Sequence, residues 1–307
     1  MELSQENLRI VFEYRNVVRR PLTITVANSK GGVGKTTIIR YLSYVLANMG
    51  FKVLVVDADP QSNTTKTMLL TKNYHSKDDD IFIIEKTMLA GIVERDLKQL
   101  VLPIIENLDC IPSHIDFKNF PKYLTKLYGD AIEGIDADYI EVEKNRISVL
   151  KDLLEPVKPD YDFVLIDTPP TMSDFTRNAA YASDYIIMAF QTQSDSLDGV
   201  EDYISEEVTP LVEKFDCKTE IVGILPNQLS KGSIDRQVVN DAIEKFGDQN
   251  LFDNILPHVK RVQTTPRTGL NTDTYWDKLA YEEVFVPLAK DFIHRIKLFE
   301  GENYHDR

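Results

Sequence analysis

The sequence predicts an α/β protein: a mostly parallel, twisted sheet with helices on both faces. Three observations predict it. A β-branched run, Leu22-Thr23-Ile24-Thr25-Val26-Ala27, passes through a glycine-rich turn into Ile38–Ala47, whose apolar positions recur at helical spacing until Gly50. Two further apolar runs, Lys52–Val56 and Tyr161–Ile166, are continuous rather than alternating, as strands buried on both faces are. From Asp184 onward strand-like and helix-like segments alternate, the order a βαβ sheet demands.

The turn after the first strand reads Ser29-Lys30-Gly31-Gly32-Val33-Gly34-Lys35-Thr36-Thr37. Strand, glycine loop and helix in that order form a phosphate-binding context. Glycines let backbone N–H groups curl round an anion without Cβ clashes, and the helix N-terminus adds partial positive charge. Lys35 is placed to reach the β- and γ-phosphates of ATP, or the β-phosphate of ADP, and the Thr36 hydroxyl to take Mg²⁺. The pattern G-x-x-x-x-G-K-T puts its first glycine at position 29, where this chain has Ser29, and an extra lysine, Lys30, follows.

That departure resembles the deviant Walker A box, K-G-G-x-G-K-[ST], of the ParA/MinD class of P-loop ATPases, so the fold is expected to be P-loop NTPase-like. The resemblance implies that Lys30 crosses a face-to-face homodimer to the phosphates of the partner's nucleotide. A second cation there suits a transition state that spreads negative charge over the equatorial oxygens. Lys30 and Lys35 are therefore expected to be catalytic, and Lys30, Gly31, Gly32, Val33, Gly34, Lys35, Thr36 and Thr37 to hold the nucleotide.

Three later segments resemble the same family, in the same order, over about residues 22–298. Asp57-Ala58-Asp59-Pro60-Gln61-Ser62-Asn63 is similar to its D-x-D-P-Q-x-N segment, with Ser62 where glycine is usual. The resemblance implies that Asp59 positions or activates the attacking water and that Asp57, with Asp59, braces the Mg²⁺ shell. Asp167-Thr168-Pro169-Pro170 ends a hydrophobic strand in a carboxylate, a Walker B arrangement in which Asp167 holds the metal, often through water. Asn227 matches an adenine-meeting asparagine. Ile255-Leu256-Pro257 and Lys260–Gly269 resemble the I-P…R-L-x-E-A-P-x-x-G segment, with Pro257, Arg261, Pro266 and Gly269 in register and Thr264 replacing the glutamate. Pro257 would flank the adenine ring.

Composition bounds the function classes. The 307 residues are 43% hydrophobic and 27% charged, enough for a large core in one domain. No apolar run approaches the ~20 residues a membrane helix needs. Met1–Glu6 is polar and acidic, unlike a secretory signal. Cys110 and Cys217 lack motif spacing, which fits a reducing compartment. The net charge of −14 repels nucleic acid and anionic lipid, so DNA contact requires a local basic cluster. Lys260, Arg261 and Arg267 are the candidates.

Residues 1–20 are expected to be a short N-terminal extension with one short helix, too small for a helix-turn-helix module. A single ATPase domain is expected over 21–299, with helical insertions within about 71–160, and an acidic tail over 300–307. Within the insertions, Lys77–Asp80 reads as a solvated turn and Ile81–Leu102 as helical. Leu108–Ser113 reads as a short strand, and Phe117–Tyr128 and Ile140–Leu154 as helices flanking a surface loop at Gly129–Tyr139. Further on, Asp184–Phe190 and Glu220–Asn227 read as strands, Ser196 as a helix start, and Tyr281–Leu298 as an amphipathic last helix.

The resemblance implies a cytoplasmic, nucleoid-associated partition ATPase. Its ATP-bound homodimer would bind DNA non-specifically, and a ParB-type centromere-binding partner with a basic arm would release it by stimulating hydrolysis. A MinD-like regulator needs a basic C-terminal helix, which the acidic tail argues against. A nitrogenase-iron-protein-like reductase needs cysteines beside the switch motifs. A P-loop metabolic synthetase stays an alternative, ranked lower by the Asp57–Gln61 segment. Tyrosine kinases of related fold carry a tyrosine-rich tail, and this one holds Tyr304 alone.

Overall fold

The computed structural model describes residues 3–76, 84–192, 194–229 and 233–305. Seven strands form one sheet: β1 (Leu22–Ala27), β2 (Val53–Asp57), β3 (Leu102–Ile105), β4 (Leu108–Ile111), β5 (Phe163–Asp167), β6 (Tyr185–Gln191) and β7 (Glu220–Asn227). Their order is β3-β4-β2-β5-β1-β6-β7, parallel throughout except for the antiparallel β3–β4 edge pair.

The helices between them are α1 (Gln5–Val17), α2 (Lys35–Met49), α3 (Asn63–His75), α4 (Met88–Glu94) and α5 (Phe120–Tyr128). They continue with α6 (Tyr139–Ile147), α7 (Val149–Leu154), α8 (Asp174–Ala182), α9 (Ser194–Tyr203) and α10 (Thr209–Phe215). The last are α11 (Ser233–Phe246), α12 (Thr265–Thr268), α13 (Tyr275–Ala280) and α14 (Val286–His305).

β2, β5, β6 and β7 are continuous in hydrophobicity because each feeds two cores. In β2, Val53 and Val55 face the layer formed by α1, α2 and α14, while Leu54 and Val56 face that of α4, α5, α7 and α8. Phe163 and Leu165 against Val164 and Ile166 repeat this in β5. A third cluster covers β6 and β7 with α9, α10 and α11. β1 lies between β5 and β6, so the loop after Ala27 leaves the sheet's carboxyl edge near its middle, where ligands bind in open α/β sheets.

Several expectations change. Among the described residues of Ile81–Leu102 only Met88–Glu94 is α-helical; Arg95 closes it in the left-handed region and a short 3-10 turn follows at Lys98–Leu100. Leu102–Ile105 is a strand, missed because Pro103 reads as a breaker, yet an edge strand tolerates it. Lys77–Asp80 lies outside the described residues. The helix expected from Phe117 begins at Phe120, after a 3-10 turn, with Pro121 in its first turn. Ile140–Leu154 divides at Ser148, and the helix expected from Ser196 opens at Ser194.

The chain ends also differ from the expected extension and tail. The helix of Val286–His305 runs past residue 300, so 300–307 does not separate at that boundary. In α1, Tyr14 is buried, its ring 5.1 Å from Phe51 and 5.0 Å from Phe163. Among the described residues its hydroxyl has no hydrogen-bond partner. Tyr14→Ala should therefore cost about 3–5 kcal/mol in urea unfolding. Tyr14→Phe should be neutral or stabilising, since it removes a buried unpaired hydroxyl.

Candidate functional site

The loop after β1 is shaped by two backbone demands. Gly34 adopts the left-handed region with φ of 91° as the cap of α2, and a Cβ there would stand 2.1 Å from Asn227 Nδ2. The loop is then pinned from both sides. Asn227 Nδ2 donates to Val33 O at 2.7 Å and Gln228 Nε2 to Gly32 O at 2.9 Å. Asn28, buried at the end of β1, donates through Nδ2 to Ala189 O (2.8 Å) and Ser196 O (3.0 Å). Its Oδ1 accepts Lys30 N at 2.7 Å.

The two lysines of the loop have opposite surroundings. Lys35 is buried, and its Nζ donates to Asn28 O at 3.1 Å and Lys30 O at 3.0 Å. Burial pulls its pKa down to about 8, against the pull of Asp167 and Asp59. Lys30 is exposed, and among the described residues its side chain has no ion pair. Its stem lies against Gly199 in α9, where an added Cβ would meet Lys30 Cγ at 2.6 Å and Asn28 Oδ1 at 2.3 Å.

Beside Lys35 the strand ends of β2 and β5 are in register, Asp57 opposite Asp167. Asp167 accepts from Thr36 Oγ1 at 3.0 Å and from Thr64 Oγ1 at 2.5 Å. Asp57 Oδ2 accepts from Thr65 N and Thr65 Oγ1, both at 2.7 Å, and its Oδ1 from Asp59 N at 3.2 Å. Burial and the neighbouring Asp167 push the Asp57 carboxyl up to about 7; burial raises Asp167 as well. Asp59 is buried, one oxygen accepting Gln61 N at 2.9 Å.

These groups fit a phosphorylated ligand with Mg²⁺. A buried ammonium held only by carbonyls suits an anion, and two crowded carboxylates would be relieved by a divalent cation. Their hard oxygens, with the Thr36 hydroxyl, suit Mg²⁺, which takes few protein ligands and keeps water and phosphate oxygens. The described residues hold no cluster of three or more His, Cys, Asp or Glu that would make an all-protein cage.

A cavity of about 150 Å³ opens on the far side of the loop, lined by Gly34, Thr37, Asn227, Leu256, Pro257 and Val262 among others. Asn227 and Pro257 thus meet as expected of a base pocket, but Asn227 also spends its amide on Val33 O and its Oδ1 on Gln228 N at 2.8 Å. It is a brace of the loop as well as a wall. A larger open groove of about 820 Å³ between Tyr44, Lys72, His75 and Ile105 holds none of the loop residues.

Of the basic trio, Lys260 and Arg267 are exposed. Arg261 is not a free cation: its Nε and Nη2 bind Asp277 at 2.6 and 2.9 Å. This corrects the expectation that all three form one open patch. Sequence reasoning also missed Asn28, Thr64, Thr65, Gln228 and Gly199. The legible signal was Gly199, since a glycine inside a helix costs about 1 kcal/mol relative to alanine and so marks a close approach.

Fold and loop together define a P-loop nucleotide-binding protein. A family model described as an AAA domain matches residues 22–221. The sporulation initiation inhibitor protein Soj of Bacillus subtilis is 30% identical over 270 residues, covering 87% of this chain and 96% of that protein. The chromosome partitioning protein ParA of Caulobacter vibrioides is 28% identical over 281 residues, covering 89% and 94%. The chain belongs to the ParA/Soj family of partition ATPases.

Two solved structures show the shared fold. The ATP complex of a McdA variant from Cyanothece superposes with a TM-score of 0.71 at 21% identity, covering 90% of this chain and 96% of that one. Cobyrinic acid a,c-diamide synthase from Mycobacterium smegmatis, with bound ATP analog and magnesium, gives 0.63 at 23% identity, covering 86% and 92%.

The lysine chemistry is testable by titration calorimetry. Lys35→Ala should lose about 2–4 kcal/mol of ATP affinity, the worth of one or two charge-assisted bonds. A phosphate favours the ammonium, so the bound pKa lies above 8 and affinity should fall as pH rises through about 8. A pH-independent affinity between about 7 and 9.5 would remove Lys35 from the phosphates.

Proposed function

We propose that this protein uses ATP to segregate DNA. ATP binds along the Lys30–Thr37 loop with its base toward Asn227 and Pro257, and Mg²⁺ sits by Thr36, Asp57, Asp59 and Asp167. When bound, the metal neutralises charge on the phosphates. Lys35 stays with its own protomer's nucleotide, and Lys30 reaches across a homodimer to the partner's. Asp59, braced by its own N–H on Asp57 and by Gln61 N, orients the attacking water.

The observation that carries this reading is the contrast of the two lysines. Lys35 is enclosed, while Lys30 has its backbone fixed at both N–H and carbonyl and its ammonium exposed and unpaired among the described residues. A cation held on a rigid base and left exposed to solvent is suited to a ligand on another molecule.

The ATP-bound dimer then binds DNA without sequence preference through Lys260 and Arg267, with Arg261 as the ion-paired brace between them. A ParB-type centromere-binding protein with a basic arm stimulates hydrolysis and release, in the cytoplasm, on the nucleoid.

Lys30→Ala decides the matter. It should keep ATP affinity within about twofold and lose ATP-dependent dimers in analytical ultracentrifugation, with kcat falling by about a hundredfold or more. Dimers that still form and hydrolyse normally would sink the trans-acting role. Asp59→Ala should keep the dimer and slow hydrolysis alone. For DNA, Lys260→Glu with Arg267→Glu should weaken every sequence alike and flatten the salt dependence by about 0.9 per lost phosphate contact. An unchanged slope would move the DNA surface elsewhere.

A further inference from the structure

The helical layer formed by α5, α6 and α8 carries a surface that the nucleotide site does not use. From Leu127 to Glu143 the chain has no Lys or Arg, and acidic residues stand at Asp130, Glu133, Asp136, Asp138, Glu141 and Glu143. Among them four aliphatic side chains reach into solvent: Leu127 is 50% exposed, Ile132 60%, Ile135 75% and Ile140 47%. Ile135 is the most exposed large hydrophobic residue of those described. The loop that presents Ile132 and Ile135 is closed on itself. Asp136 Oδ2 accepts Ile132 N at 2.7 Å, and Asp136 N donates back to Ile132 O at 3.0 Å. Glu133 is tied to Lys214 of α10.

Apolar side chains set in a field of carboxylates repel nucleic acid and anionic lipid. They complement a peptide segment that is cationic and carries apolar side chains of its own. The inner side of this loop is also wired to the segment that follows β5. Arg146 Nη1 donates to Gly129 O at 2.8 Å and to Thr125 Oγ1 at 3.0 Å, while Nη2 pairs with Asp174 at 3.1 Å. Asp174 is the first residue of α8, the helix that follows Asp167-Thr168-Pro169-Pro170. Glu143 joins Arg146 to Arg177, and Arg177 joins Glu207 at 3.6 Å. One buried guanidinium thus holds both the base of the loop and the head of the helix leading from the nucleotide site.

We propose that Leu127–Ile140 is the docking surface for a cationic, apolar-bearing segment of a partner protein. Arg146 transmits its occupation to Asp174. The assignment of that partner rests on the partition reading, but the binding does not: its anisotropy measurement needs neither nucleotide nor DNA, so the two fail separately.

The probe is a fluorescein-labelled amphipathic peptide of Leu and Lys at helical spacing, with oligolysine of equal length as control. Anisotropy is measured with the full chain at about 0.15 M salt, where distant charges are screened. The wild type should bind the Leu/Lys peptide about tenfold more tightly than an Ile132→Ser/Ile135→Ser variant does, and about tenfold more tightly than it binds oligolysine. Both isoleucines are exposed, so the variant should keep its melting temperature and basal hydrolysis. Equal affinities for variant and wild type, or for oligolysine, would mean attraction by net charge alone and overturn the surface. In a second arm the peptide should accelerate ATP hydrolysis in the wild type. Asp174→Asn should bind the peptide equally and not respond. A response in both proteins, or in neither, would overturn transmission through Arg146.

Discussion

The structure depends on holding an unneutralised ammonium inside the protein. Lys35 stands at the carboxyl edge of the sheet with carbonyl partners only, beside aspartates that are themselves raised by burial. Among the described residues these charges form no direct ion pair with one another. Burying charge in this way costs free energy that a folded protein recovers only through contacts elsewhere. The two-sided apolar sheet supplies them, and under the proposed function a Mg²⁺-bound polyphosphate would supply the missing counter-charges.

An incomplete site must also be rigid, or its groups would turn to satisfy one another. The braces serve this end. Asn28 ties the loop entry to the end of β6 and to Ser196, while Asn227 and Gln228 hold Val33 and Gly32 from β7 and the turn after it. Thr64 and Thr65 of α3 occupy the lone pairs by which Asp167 and Asp57 would otherwise swing toward Lys35. Gly199 lets α9 lie directly on the stem of Lys30. Any movement of α9 is therefore felt at the lysine, and any change at the lysine at α9. Preorganisation of this kind stabilises charge that develops later without reorganisation at that moment.

Much of this was legible from residues alone, for a reason that differs by element. β1, its loop and α2 were legible because glycine geometry and helical period leave little choice there. β2, β5, β6 and β7 were legible because two-sided burial writes continuous apolar runs. β3 was not, since Pro103 suits an edge that only the sheet order reveals, and the helical spacing read over Ile81–Leu102 gave α4 without its ends. In the site, loop spacing placed Lys35 and Thr36, and the family resemblance added Asp57 and Asp167, but the braces act through space. Nothing near Asn28 in sequence announces Ala189 or Ser196, and nothing near Arg261 announces that Asp277 neutralises it.

That neutralisation bears on how an acidic protein can use DNA. With a net charge of −14 the whole molecule opposes the approach of a polyanion, and pairing Arg261 with Asp277 leaves fewer local cations to offset that opposition. Under the proposed cycle one protomer brings Lys260 and Arg267, too little to hold DNA at physiological salt. Two protomers on one face double the number of phosphates met. Free energies of separate contacts add, so affinities multiply and the second patch binds at high effective concentration. Nucleotide control over DNA then requires no rearrangement of the DNA surface itself. Under that cycle dimerisation alone would be the switch, and the protein's acidity would sharpen it by keeping the single protomer off the DNA.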